Sequence, residues 1–494
     1  MLSTSAQTNT EKPAASGDER KGRHLGVVLT LLVTCYLMIT VDNTVMTIAL
    51  PDIRGDLDFS PTGLAWVQSS YTLTFGGLLL LGGRTGDVLG HRRTFVWGVA
   101  LFTLCSLAGG LATEPWMLLT ARTLQGVGAA FASPGAMSLL ITNFEEGPRR
   151  NRALAVYSTL AGLGMATGMI LGGVLTEYAS WRWVLFVNVP FGIAVALLTP
   201  RFVADSKRHP GRLDLVGAIT ATGGMAALVY GVIRASSDGW GDPLTLVSFA
   251  AAVVLLAVFL TVQVRVETPV VPLGLFASRN RAAGYVTIFL TMATLFSALF
   301  FLSQFLQGPL GFSPVRAGLA FLPMALGMFG MSRLTPKLLP RLGARPLIVS
   351  GITLVVAGAV WLARLEATTA YAPHLAGPMV LLGVGIGAFL MPLNSLILSG
   401  VAPQQAGAAA GVMQTMQQVG GSLGLAVLVT VYGTTLAHSD APADEAVAHS
   451  MANAFIGATV FSALALVLVA VAIRVAAPAA VPAARAAATP EDRD

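Results

Sequence analysis

Between two long stretches that carry no charge lies Gly82-Gly83-Arg84-Thr85-Gly86-Asp87-Val88-Leu89-Gly90-His91-Arg92-Arg93. Residues 59–83 before it and 94–113 after it contain no Asp, Glu, Lys or Arg. A charge at the middle of a bilayer costs several kcal/mol, so this pattern reads as two apolar crossings joined by a short charged loop. The rest of the 494-residue chain repeats the pattern, with 54% hydrophobic and only 11% charged residues. A typical soluble domain carries about 25% charged residues. That gap excludes an ordinary soluble enzyme, a disordered scaffold and a nucleic-acid binder built on basic patches. What remains is a polytopic α-helical membrane protein, each crossing taking roughly 20 apolar residues.

Charge-free intervals run over 25–41, 59–83, 94–113, 123–144, 153–176, 183–200, 215–233, 243–264, 282–315, 317–332, 346–363, 367–439 and 446–473. The first extends through Asp42 to about Pro51, and the fourth starts near Trp116 and takes in Arg122. The interval 367–439 is too long for one helix, and Ser399-Gly400-Val401-Ala402-Pro403-Gln404-Gln405 breaks it. Fourteen spans are expected. With the N-terminus in the cytoplasm, 24 of the 30 basic residues fall on inner loops or tails. Only Arg54, Arg182, Arg234, Arg316 and Arg364 fall outside, and Arg122 lies within a span. The positive-inside rule therefore places both termini in the cytoplasm of a cell membrane. The net charge of +6 orients the chain and says little about partners.

A shift of 253 residues carries the first, second, fourth and fifth spans onto later ones, and Gly90-His91-Arg92 onto Gly343-Ala344-Arg345. Paired six-helix halves with the substrate site between them are a known transporter plan. The expected units are a tail (1–24), a first half (25–200), a linker with two inserted helices (201–281), a second half (282–476) and a tail (477–494). The polar stretch up to His24 lacks the short apolar core of a cleavable signal, so the first span is expected to be retained. Cys35 and Cys105 both sit in apolar runs, with no disulfide or metal spacing.

The charged loop resembles the signature of the major facilitator superfamily, roughly G-x-L-a-D-r-x-G-r-r-r, through Gly83, Arg84, Asp87, Gly90, Arg92 and Arg93. Val88 stands where the family usually has a basic residue. The arginines alone would also suit a solvated inner loop. Asp42-Asn43-Thr44-Val45-Met46-Thr47-Ile48-Ala49-Leu50-Pro51 is similar to the D-x-T-x-V-N-x-A-L-P run of multidrug exporters, with Thr47 for the asparagine. Arg122-Thr123-Leu124-Gln125-Gly126-Val127-Gly128-Ala129-Ala130 matches R-x-x-Q-G-x-G-A-A. Trp181-Arg182-Trp183-Val184-Leu185-Phe186-Val187-Asn188-Val189-Pro190 and Asp214-Leu215-Val216-Gly217 look like the fourteen-span drug–proton antiporters. So does Gly407-Ala408-Ala409-Ala410-Gly411 with Gln418-Val419-Gly420-Gly421-Ser422-Leu423-Gly424. The antiporter motif G-x-x-x-G-P-x-x-G-G keeps Gly164, Gly168, Gly172 and Gly173, but Met169 replaces its proline.

Asp42 and Arg122 are the two ionisable groups expected well inside spans, and such charges mark functional sites by default. At 1.5 Å per residue they lie roughly 12 Å and 9 Å from the outer ends of their helices. Burial and a nearby arginine pull a carboxyl's proton affinity in opposite directions. That balance suits a group which takes a proton on one side and releases it on the other. Glu177 is the reserve proton carrier, and Gln125, Gln304, Gln307, Asn394, Gln414 and Gln417 are candidate substrate-cavity amides. Amides in a bilayer also bridge helices.

The resemblance implies a proton-coupled exporter of amphipathic drugs or antibiotics, working by alternating access. It implies a monomer in the lipid bilayer with no cofactor, no metal and no nucleic-acid partner. No G-x-x-x-x-G-K-[ST] run points to a nucleotide. An importer or uniporter of another solute is the alternative that the missing proline leaves open. A membrane enzyme would need clustered ligands in the spans, and a transport-like sensor would need an output domain.

Overall fold

The computed structural model describes residues 16–60, 62–206, 213–266, 269, 271–402 and 405–473. These are helical throughout, with no β-strand among them. The first helices are α1 (Ser16–Asp56), α2 (Ala65–Leu89), α3 (His91–Gly110), α4 (Pro115–Asn143) and α5 (Pro148–Tyr178). Next come α6 (Trp183–Phe186), α7 (Asn188–Phe202), α8 (Leu215–Ser237) and α9 (Pro243–Arg265). The chain then forms α10 (Arg279–Gln307), α11 (Pro314–Ala320), α12 (Leu322–Leu342), α13 (Ala344–Leu362), α14 (Ala376–Leu398), α15 (Ala406–Ala437) and α16 (Ala443–Ala472). The expected tails 1–24 and 477–494 lie largely outside the described residues, though α1 already begins at Ser16.

Among the described residues, 12 helices are long and apolar enough to cross a membrane, with α6–α7 and α11–α12 each counted as one. That is two short of fourteen. The difference falls on α2 and α5, which have 25 and 31 residues. Both are long enough; α2 is made more polar by Gln68, Ser69, Ser70, Thr72, Thr74 and Thr85, and several side chains of α5 lie outside the described residues. A second departure is at the tenth span. It was expected to stop at Met331–Ser332, but α12 continues through Arg333 to Leu342.

Local chemistry explains most boundaries. Gly90, between α2 and α3, has φ +102°, and Gly343, between α12 and α13, has φ +80°. Only glycine enters that region without steric cost, so the shift of 253 residues maps one tight turn onto the other. The Asp214-Leu215-Val216-Gly217 run is an N-cap: the Asp214 carboxylate accepts the Gly217 N–H at 2.7 Å. Asp242 caps α9 in the same way through Thr245, at 3.0 Å. Its other partner, the Arg234 guanidinium, holds the Asp242 carboxyl below the usual carboxylate range.

The helices before α8 and those after α9 share one buried apolar core at the Asp56 end, where Val45, Met46 and Ile48 join Leu299, Phe300 and Leu302. Toward the Gly90 end, the first set keeps a core of its own around Leu31, Phe75, Phe95 and Leu139. The two sets are therefore joined at the Asp56 end, and α2 also meets α15 toward the Gly90 end, where Leu80 lies against Gly411. Along one side, α2 packs on α15, and α8 packs on both.

Candidate functional site

Asp42 and Arg122, 80 positions apart in sequence, meet in one of the driest places in the molecule. Asp42 is 1% exposed and Arg122 is fully buried. Arg122 Nη1 donates to Asp42 Oδ2 at 2.6 Å and to Gln125 Oε1 at 2.8 Å. Its Nε donates to the Val67 carbonyl at 3.3 Å, and its guanidinium lies 4.3 Å from the centre of the Tyr71 ring. The second carboxylate oxygen, Asp42 Oδ1, accepts from Gln125 Nε2 at 2.9 Å and from Asn188 Nδ2 at 2.8 Å. Both amides also donate to Ser106 Oγ, at 3.2 and 3.1 Å. Ser106 Oγ in turn donates to the Leu185 carbonyl at 2.9 Å.

The chemistry follows from this wiring. An isolated buried carboxylate is prohibitively costly, and here three donors from two helices besides its own compensate it. Every group facing Asp42 is a donor. A proton added to the carboxyl therefore finds no acceptor until an amide rotates or the ion pair opens. On the guanidinium side the network is incomplete: Arg122 Nη2 and Tyr71 Oη have no partner among the described residues.

The structure thus brings Asp42, Arg122 and Gln125 together and adds two residues that sequence reasoning did not single out. Gln125 is fully buried in the charge cluster, not on a cavity wall. In the sequence Asn188 belongs to the Trp181–Pro190 run, and Ser106 is a small polar residue within the charge-free stretch 94–113. Their signal was modest: two hydrogen-bonding side chains inside otherwise apolar spans.

Glu177 lies apart from this cluster, exposed at the Asp56 end, where its carboxylate accepts the Val315 N–H at 2.8 Å. Beside it, Gly173 packs against the backbone of Pro314 and Val315, and Gly318 packs against the Met169 carbonyl. Gly164, Gly168 and Gly172 seat α5 on Thr40, Thr44 and Val45 of α1. Gln307 donates to the Ile48 carbonyl at 3.0 Å, a bridge between α10 and α1. Gln304 and Gln307 line an open cleft of about 430 Å³ with Arg54, Asp58 and Phe59. Gln414 and Gln417 are half-buried on α15, and the Asn394 Oδ1 is buried without a partner among the described residues. The six amides do not gather into one cavity.

In the charged loop, Asp87 meets His91 at 3.1 Å and Arg84 at 3.8 Å. The Arg92 N–H donates to Asp205 Oδ1 at 3.0 Å, and its guanidinium donates to the Val203 carbonyl at 3.1 Å. Asp205, which the sequence reading missed, therefore ties the loop to the end of α7. Gly83 lies against Pro134, and Arg93 is exposed.

The profile of the Major Facilitator Superfamily matches residues 32–425. The chain is 42% identical over 439 residues to a cephamycin export protein of Amycolatopsis lactamdurans, covering 88% of this chain and 90% of that one. It is 44% identical over 425 residues to a puromycin resistance protein of Streptomyces alboniger, covering 84% of each. Among solved structures, a nucleoside transporter superposes with a TM-score of 0.62 at 14% identity, over 90% of this chain and all of that one. The likeness to that structure concerns the fold alone. The helical architecture and the match across most of the chain lead to one conclusion: this protein belongs to the major facilitator superfamily, a class of transporters and not of enzymes.

Proposed function

We propose that the protein exports amphipathic drugs or antibiotics from the cell, driven by protons moving inward, with Asp42 as the proton-carrying group and Arg122 as its counter-charge. The observation that carries the reading is the sealed Asp42 carboxylate, whose neighbours are all donors. The names of its relatives support the cargo class: they include a cephamycin export protein and a tetracenomycin C resistance and export protein. In this reading α2 and α5 also cross the membrane, which gives fourteen spans with both termini in the cytoplasm. The halves are 25–200 and 282–476, and the linker 201–281 carries the inserted pair α8–α9. In the same reading the Asp56 end, where the two halves share a buried core, faces outward. A proton reaching Asp42 releases Arg122, and the halves rock about the cavity between them. Each proton falling through 100 mV contributes about 2.3 kcal/mol. The protein works as a monomer in the plasma membrane, and Glu177 latches the outer face.

The test uses the full chain in proteoliposomes, with Asp42→Asn beside the native protein. Substrate-driven proton flux should vanish in the variant while the protein remains folded and monodisperse. Undiminished flux would overturn Asp42 as the carrier. In cells, an uncoupler should raise drug accumulation; if it lowers accumulation, the protein is an importer.

A further inference from the structure

Arg333 is a further charge within a helix able to cross the membrane, and it is exposed. It lies nine residues before the end of α12 at Leu342, and the repeat places it level with Leu80, about one helical turn inside the charged loop of the first copy. One face of α12 is packed on α14: Met324 and Met328 carbonyls meet Gly383 and Gly387, and Thr335 Oγ1 donates to the Gly387 carbonyl at 2.9 Å. At 3.6 residues per turn, Arg333 and Lys337 point to the opposite side, and Arg341 follows close to them. All three are exposed. Leu326 and Leu334 on the same side are 65% and 51% exposed, and the Arg333 guanidinium lies 4.7 Å from the centre of the Phe329 ring. Among the described residues none of the three forms an ion pair.

The other copy of the repeat shows what is missing. A shift of 253 residues places Lys337 on Arg84 and Arg333 on Leu80. Arg84 has Asp87 at 3.8 Å, but the position equivalent to Asp87 is Pro340. Leu80 is covered by α15 at Gly411, whereas Arg333 is uncovered. A cation on an apolar helix face attracts a counter-charge, and the described residues supply none. The surface is graded as a phospholipid is graded: Leu326 is deepest, the cations are spread toward the helix end, and Arg341 is at the surface.

We infer that Arg333, Lys337 and Arg341 form a cationic ladder on α12 that binds the phosphate of an acidic phospholipid from the leaflet at the Gly90 end. The phosphate sits between the cations, and an acyl chain lies along Leu326 and Leu334. The inference rests on α12 crossing the bilayer, which its length and composition support. It does not depend on proton coupling.

The test is lipid retention by the purified full-length protein in detergent, read by native mass spectrometry. Phosphatidylglycerol is compared with phosphatidylcholine at equal concentration. The native protein should prefer phosphatidylglycerol, and each of Arg333→Gln, Lys337→Gln and Arg341→Gln should weaken that preference about fivefold. Arg333→Lys, which keeps the charge, should retain most of it. Free glycerol phosphate at matched concentration should not compete. Equal preference in native protein and all three Gln variants would overturn the ladder. Competition by glycerol phosphate as strong as by the lipid would make the site one for soluble anions and would also overturn it. Because retention is read without transport, a variant dead in transport can still satisfy or fail this test.

Discussion

The two copies of the repeat solve the same packing problem in opposite ways. In the first, α1, α3 and α4 meet over Asp42, Ser106, Arg122 and Gln125, all buried. In the second, the equivalent positions are Leu295 on α10, Ala359 on α13, Leu375 just before α14 and Pro378 on α14, also buried. After the shift α13 matches α3 to within one residue while α14 begins eight residues later than α4, and apolar residues fill the equivalent positions of the second copy. Replacing a buried ion pair by apolar residues is often neutral or stabilising. A charge cluster retained at one crossing, while its twin does without, is best accounted for by function.

The largest expected effect comes from making the first copy half like the second. Arg122→Leu leaves the Asp42 carboxylate buried with its cation gone, which should cost about 3–5 kcal/mol. Thermal unfolding in detergent would measure it. Adding Asp42→Leu should restore most of that stability, because both positions then match Leu295 and Leu375, while coupled transport stays absent. If the double variant is no more stable than the single one, the apolar twin is a poor guide to the first copy. Asn188→Ala removes one charge-assisted donor and should cost about 1.5–3 kcal/mol. It should also alter the pH dependence of transport, which a purely structural residue would not do. Asn188→Gln, which keeps an amide donor, should recover part of that profile. The smallest effect belongs to the charged loop. Arg84 and Asp87 are one-third and two-fifths exposed, so Arg84→Gln should change stability by under about 1 kcal/mol. A larger loss in the same unfolding assay would mean that the loop braces the first copy more than its exposure suggests.

How much of this was readable beforehand depends on what a charge can reveal. Long charge-free intervals located nearly every helix, and Gly90 and Gly343 announced their turns because no other residue suits them. Asp42 and Arg122 stood out because an ionised group inside a span is rare. Asn188 and Ser106 did not, since neutral polar side chains cost little enough in a span to occur for many reasons. The same rule misplaced the end of α12. Treating a charge as the edge of a span placed Arg333 at its boundary, when the helix runs on for nine residues. The span count suffered from the converse problem: α2 is long, but the hydroxyls and amides on its buried side make it less apolar than a lipid-facing helix. Which amides would bridge helices, as Gln307 does, depends on neighbours hundreds of residues away.

Gly76 and Gly77 are consecutive on α2, and each serves a different neighbour. A Cβ on Gly76 would lie 2.6 Å from Gln418 of α15, and one on Gly77 would lie 2.5 Å from Thr222 of α8. With Thr415 Oγ1 donating to the Gly76 carbonyl at 2.8 Å, three helices meet where α2 has no ridge to lift out of a groove. In mechanical terms we propose a bearing here, a line about which bodies turn while their separation stays fixed. It therefore supplies the internal ruler for any measurement of movement. Spin labels flanking Gly76 and Gln418 should report one constant distance through the transport cycle, while a pair flanking Glu177 and Val315 reports the swing.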